Sequence, residues 1–151
     1  SWELKNEKIP HTVVVDNAGG YLMQSGEVDL CLVGSDRTTI NGDVCNKIGT
    51  YLKAISAYEN NIPFFVALPT STIDTRLENG LKIPIEFRNG SELYETAIYK
   101  SKKRTTGRIY PKNTKTLNPA FDVTPSRYVT KLITENGVCE SNEKSIKKIM
   151  R

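Results

Sequence analysis

Leu32-Val-Gly-Ser-Asp-Arg-Thr-Thr-Ile-Asn-Gly-Asp-Val-Cys-Asn-Lys-Ile-Gly-Thr-Tyr51 is the stretch whose reading decides the fold of this chain. An apolar run stops at Gly34, a carboxylate stands just past it at Asp36, and a polar loop through Asn41 and Gly42 follows. Val44, Ile48, Tyr51, Ile55 and Tyr58 then recur at i, i+4, i+7, i+11 and i+14, the stripe of an amphipathic helix. The spacing predicts a helix over 44–60 with Asp43 as its N-cap and Asn46 and Lys47 in its first turn. A helix start offers unpaired backbone N–H groups and a positive dipole end, so the stretch predicts a small-anion site with Asp36 close to Lys47.

Working outward, Asp29 to Gly34 reads as a buried strand that delivers Asp36 past its C-terminal end. On the other side Asn60, Asn61 and Pro63 stop the helix, and Phe64 to Leu68 forms the next strand, ended by Pro69. Strand, helix and strand with short turns make the crossover unit of a parallel sheet. The polar residues 70–74 therefore fall at the C-terminal end of a strand, where open α/β sheets bind ligands. Upstream, the β-branched run Thr12 to Asp16 predicts another strand buried on both faces, and Tyr21 to Ser25 a short helix closed by Gly26. Downstream, 75–107 shows little periodicity and reads as an irregular excursion or lid, with a short strand over Arg108 to Tyr110. Thr124 and Pro125 then predict the start of a helix whose apolar face is Tyr128, Leu132 and Ile133 and which ends at Gly137. The residues 139–151 read as a basic C-terminal tail, helical or frayed.

At 151 residues, 38% apolar and 25% charged, the chain is sized for one globular domain. No apolar run approaches the roughly 20 residues of a membrane span. Ser1 to Lys5 shows no basic leader with an apolar core and reads as the last turn of an amphipathic helix. The net charge of +4 is local: Lys100, Lys102, Lys103, Arg104 and Arg108 form one cluster, and Lys144, Lys147, Lys148 and Arg151 another. Read as solvated runs without interleaved aromatics, they do not call for nucleic acid. Cys31, Cys45 and Cys139 are odd in number and lack paired spacing, which points to a reducing, cytoplasmic setting without disulfides. With the single histidine, His11, they make no metal-ligand pattern, and no cofactor motif is present.

The ordered motifs Trp2-Glu3-Leu4, Asp16-Asn17 with Gly20-Tyr21-Leu22-Met23, Gly34-Ser35-Asp36-Arg37, Asn41-Gly42-Asp43-Val44 with Asn46-Lys47-Ile48-Gly49-Thr50-Tyr51, Ser71-Thr72-Ile73-Asp74, Ile83-Pro84-Ile85-Glu86 and Asn118 to Pro125 resemble one family. It is that of the methylthioribose-1-phosphate isomerases, shared with the α, β and δ subunits of translation initiation factor 2B. The likeness runs from Trp2 to about Val138 and is similar to the C-terminal half of those isomerases. It implies a Rossmann-like α/β domain over 1–138 with a mostly parallel sheet flanked by helices, without the family's N-terminal helical domain and first part of the sheet.

The resemblance also implies aldose-to-ketose isomerisation of a sugar 1-phosphate in methionine salvage, with Asp36 as a catalytic acid/base and Asn46 and Lys47 binding the substrate. The family's catalytic cysteine lies upstream of the matching segment. Ser35 and Cys45 stand where alanine is common, and Phe87 where glutamate is common. Cys45 reads as a small residue packed near the sheet and not as a replacement nucleophile. The expectation is a truncated or split homologue that keeps part of a sugar-phosphate pocket and is inactive alone. The alternatives are a non-catalytic subunit of the initiation factor 2B type and a half-enzyme completed by a separate N-terminal chain. A homodimer, or association with such a chain through Trp2, Leu4 and Val13 to Val15, is the implied assembly.

Overall fold

The computed structural model describes residues 1–100 and 103–151, so Ser101 and Lys102, in the middle of the first basic cluster, fall outside the description. In chain order the elements are α1 (Trp2–Asn6), α2 (Gly19–Gln24), β1 (Cys31–Val33), β2 (Arg37–Thr39), β3 (Val44–Lys47), α3 (Thr50–Glu59) and β4 (Phe64–Ala67). They continue with β5 (Ile73–Asp74), α4 (Ser91–Tyr94), β6 (Glu95–Lys100), β7 (Lys103–Arg108), β8 (Phe121–Thr124), β9 (Lys131–Thr134), β10 (Gly137–Cys139) and α5 (Glu143–Ile149).

The fold is α/β with mixed sheets flanked by helices. One sheet has the order β1-β4-β9-β10. Its first three strands are parallel, with Cys31 opposite Phe64 and Phe65 opposite Lys131, and β10 closes it antiparallel. The crossover from β1 through α3 to β4 is the unit the sequence pattern predicts. The helix packs on the sheet through small residues, Ala54 and Ala57, both fully buried, so that its axis can approach Phe64, Val66 and Leu132 closely. The other face of the same sheet is open: Leu32 is 59% exposed, and Ala67 also faces solvent. A second sheet, β5-β2-β3-β8, takes β2 and β3 from the chain between β1 and α3, with β5 parallel to β2 and the other pairings antiparallel.

Several expectations are corrected or sharpened. Val44 to Lys47 is strand, not the first turn of a helix over 44–60. These residues pair with β2 on one side and with Phe121 to Thr124 on the other, and this two-sided ladder outweighs a stripe that suits either conformation. The helix begins only after Gly49, whose φ of +99° lies in the left-handed region and marks the junction. Thr12 to Val15 belongs to no ladder, and Val13 is 78% exposed, because the strand pairings described leave it no neighbour to supply backbone partners.

The helix expected after Thr124 is a single 3-10 turn, Ser126–Tyr128, followed by β9, in which Leu132 enters the core. Thr124 itself is a fully buried strand residue and caps nothing. The basic tail 139–151 contains α5, capped by Asn142 accepting from the Ser145 N–H at 2.9 Å, and its Ile146 is fully buried in the core. The excursion 75–107 likewise holds structure: a 3-10 turn at Gly80–Lys82, α4 and the β6–β7 hairpin, of which Arg108 is the last residue. No described helix is long and apolar enough to cross a membrane.

Candidate functional site

Parallel strands end in irregular backbone, and where two neighbours end side by side their loops frame a crevice. Here β1 runs out into Gly34, Ser35 and Asp36, and adjacent β4 runs out into Pro69 and the turn Thr70–Thr72. Between them lies an open groove of about 440 Å³ whose walls are Asp36, Arg37 and the 71–76 segment.

Asp36 stands where the sequence predicts, exposed on the groove wall. Its backbone N–H donates to the Cys45 carbonyl at 2.9 Å, which fixes the residue against β3. Its carboxylate has no ion-pair partner among the described residues, whereas the neighbouring acid is fully engaged. Asp74 takes two hydrogen bonds from the Arg76 guanidinium, at 3.0 and 3.1 Å, and has Arg37 at 3.6 Å. Arg76 holds the Asp74 carboxyl below the usual carboxylate range, first through the side-chain hydrogen bond. The groove therefore presents one unpaired carboxylate beside two guanidinium groups anchored by a second carboxylate. A polar substrate can be held there by charge and a proton passed at Asp36.

The expected anion site at the helix start is closed. The first N–H groups of α3 are already taken by a carboxylate from β8: Asp122 accepts from the Gly49 N–H at 2.7 Å and from the Tyr51 N–H at 3.1 Å. Asp16, ion-paired to Lys53 at 2.5 Å, stands at the same place, where a Cβ on Gly49 would come within 2.8 Å of its carboxylate. Two acids beside the helix start satisfy the dipole and repel a further anion. Burial pushes the Asp122 carboxyl up, against the pull of its two backbone hydrogen bonds and Lys53.

Asn46 and Lys47 are on β3, outside the groove walls. The Asn46 side-chain amide donates to Thr50 Oγ1 at 3.1 Å, and the exposed Lys47 ammonium sits over the Phe121 ring, 5.1 Å from its centre. The structure thus ties Asp36 to the same strand as Asn46 and Lys47, but by the strand ladder and not by a shared helix turn.

Cys45 is also in β3, buried, and its thiol is pushed up to about 11 by burial first and then by Asp36 and Asp122. Such a thiol stays protonated near neutrality, which agrees with a packing role. Asp43 does not cap a helix. Its carboxylate ties three loops together, accepting from the backbone N–H groups of Gly80 and Ser126, each at 2.9 Å, and from the Asn41 amide at 3.0 Å. Among the described residues no cluster of three or more His, Cys, Asp or Glu could hold a metal ion.

Sequence reasoning places Asp74 in a loop at the ligand-binding end of the sheet but gives no role to Arg37, Asp74, Arg76 or Asp122. The first three carried a weak signal, since Asp74 and Arg76 are two apart in a polar loop. Asp122 carried none, because its partners on α3 are more than seventy residues away.

A family model described as "Initiation factor 2 subunit family" matches residues 1–141. A methylthioribose-1-phosphate isomerase of Gluconobacter oxydans is 53% identical over 151 residues, 99% of this chain and 41% of the relative. The crystal structure of 5-methylthioribose 1-phosphate isomerase from Pyrococcus horikoshii OT3 is similar with a TM-score of 0.88 at 41% identity, over 99% of this chain and 40% of that one. The structure of the translation initiation factor eIF-2B, subunit delta, from A. fulgidus is similar with a TM-score of 0.86, also at 41% identity, over 99% of this chain and 41% of that one. The chain spans about two fifths of the length of these relatives.

Proposed function

We propose a function from one premise: the chain belongs to the initiation factor 2 subunit family. It carries one wall of the sugar-phosphate site of an aldose-ketose isomerase acting on 5-methylthioribose 1-phosphate, a step of methionine salvage. The observation that carries this reading is the unpaired Asp36 carboxylate on a groove between the C-terminal ends of two parallel strands. The reaction moves a hydrogen between C1 and C2 of the sugar and a proton among its oxygens, and a free carboxylate can take up and return such a proton. Arg37 and Arg76, already held by Asp74, suit the anionic substrate. Lys47 adds a point charge at the neighbouring strand, and Asn46 a hydrogen bond if its amide leaves Thr50.

The 151-residue chain by itself does not turn substrate over. Its groove is open to water, and Cys45, whose backbone carbonyl holds the Asp36 N–H, has a buried thiol that stays protonated near neutrality. Activity needs further protein to cover the exposed Leu32 on the open face of the sheet and the exposed Val13 to Val15, supplied by a second copy or by a chain carrying the remaining length of the isomerases. Three free thiols suit a cytoplasmic site for this assembly.

The test is an isomerase assay with methylthioribose 1-phosphate. The expected result is no turnover by the chain alone, and turnover on mixing with the unmatched N-terminal segment of an isomerase relative, lost in Asp36→Asn. Turnover by the chain alone, abolished in Asp36→Asn, would overturn the need for a partner. Stable association with that segment but no turnover would overturn the isomerase reading. A second reading, a non-catalytic subunit of the initiation factor 2B type, is favoured by the equally close likeness to the A. fulgidus structure. Stoichiometric capture of an initiation factor, unaffected by Asp36→Ala, would establish it.

A further inference from the structure

From residue 96 to residue 121 the chain carries seven cations, Lys100, Lys102, Lys103, Arg104, Arg108, Lys112 and Lys115, and no carboxylate. With a net charge of only +4 overall, the rest of the molecule is net negative. Such segregation on one segment needs a reason, since solvated charges mix freely on an ordinary surface.

The fold turns this segment into one surface. The β6–β7 hairpin pairs Tyr99 with Arg104, Ala97 with Thr106 and Glu95 with Arg108, and cross-strand partners share a face of the ribbon. That face therefore shows a ring and a guanidinium near its tip, and at its base a second guanidinium opposite the Glu95 carboxylate, the one acid on it. The two rows are four residue steps apart, about 13 Å at strand rise. At the base the Arg108 guanidinium stacks on the Tyr94 ring, 3.9 Å from its centre, and lines a groove with Lys112, Thr114 and Lys115.

Arg104, Arg108, Lys112 and Lys115 have no ion-pair partner among the described residues, and Glu95 is the only carboxylate of the hairpin strands. Tyr99 is 72% exposed and Tyr110 50%. The sequence reading sets nucleic acid aside for want of interleaved aromatics, yet the hairpin places Tyr99 beside Arg104 and Tyr94 under Arg108.

We propose that this face, Tyr99, Arg104, Arg108, Lys112 and Lys115, binds single-stranded nucleic acid. The exposed Tyr99 ring and the Arg108 guanidinium stacked on Tyr94 receive bases, and the cations receive phosphates along a track two to three nucleotides long at the ribbon and continued in the groove. A single strand fits because its bases are free to stack, whereas a duplex hides them. An acidic lipid surface or an acidic protein would use the cations but gives the exposed Tyr99 ring no stacking partner. The proposal is independent of the isomerase reading, since none of these residues touches the Asp36 groove.

The test is fluorescence anisotropy of a labelled oligouridylate of about twelve nucleotides titrated with the 151-residue chain over a range of salt. With four phosphates neutralised by Arg104, Arg108, Lys112 and Lys115, log K against log[salt] should have a slope of about −2.8. Lys112→Glu with Lys115→Glu should reduce its magnitude by about 1.4. Tyr99→Ala should weaken binding roughly fivefold or more by removing one stacked base, while Tyr99→Phe keeps the affinity. Absence of oligouridylate binding would overturn the proposal. So would equal affinity for phosphatidylserine vesicles, or a Tyr99→Ala variant that binds the oligonucleotide as well as the parent.

Discussion

Replacing Asp122 by alanine tests whether the start of α3 is an occupied anion site. The carboxylate accepts the Gly49 and Tyr51 N–H groups at 2.7 and 3.1 Å, and both donors open the helix that packs Ala54 and Ala57 against the parallel sheet. Loss of a helix cap costs about 0.5–2 kcal/mol, and stranding a buried N–H adds about 1–3 kcal/mol. The expected loss for Asp122→Ala is therefore about 2–4 kcal/mol, a fall in Tm of roughly 5–15 °C for a chain of this size. Asp122→Asn keeps one acceptor oxygen for one of the two N–H groups but turns an amide NH2 toward the other and removes the charge at the helix dipole, so it should cost about 1–3 kcal/mol.

The comparison has a pH signature. Burial is the largest influence on Asp122 and raises its carboxyl above the ordinary range, so the native state binds the proton more tightly than the unfolded chain. The sign follows: the parent gains stability relative to Asp122→Asn as pH falls through the raised pKa, and the gain levels off below the ordinary carboxylate value of about 4. Urea unfolding of the three proteins at several pH values reads all of this. An alanine variant within about 0.5 kcal/mol of the parent would refute the capping argument.

Three further outcomes are expected. Cys45, pushed up to about 11 from an ordinary 9.0, should have roughly a hundredfold smaller thiolate fraction near pH 8 than a free thiol. Its alkylation, followed by mass spectrometry of the modified peptide, should inflect near pH 11, and Asp36→Asn should move the inflection down by removing a negative neighbour. Asp43→Ala should cost about 2–4 kcal/mol by releasing the N–H groups of Gly80 and Ser126. The same variant should open the segment around Gly80 to limited proteolysis before the rest of the fold. Ile146→Ala should destabilise by about 2–5 kcal/mol in thermal or urea unfolding, as for a fully buried side chain and not for a residue of a loose tail.

The β1-α3-β4 crossover, the place of Asp36 past the end of a strand and, through ordered motifs, the family are legible in the residues alone. Each of these rests on local order along the chain: apolar runs, stop signals and motif spacing need no distant partner to be read. Tertiary structure decided what local order leaves open. Val44 to Lys47 reads as helix until β8 arrives from more than seventy residues away to pair with it. Tyr128, Leu132 and Ile133 fit a helical stripe, but β4 offers a parallel ladder to Lys131–Thr134, and the strand wins. The anion site at the helix start was sound physics applied to a vacancy that Asp122 already fills, and Arg37 and Arg76 join the Asp36 groove only because β5 is laid beside β2. Hydrogen-bond partners brought from far along the chain, and carboxylates delivered with them, are set by the closed fold, and no local pattern encodes them.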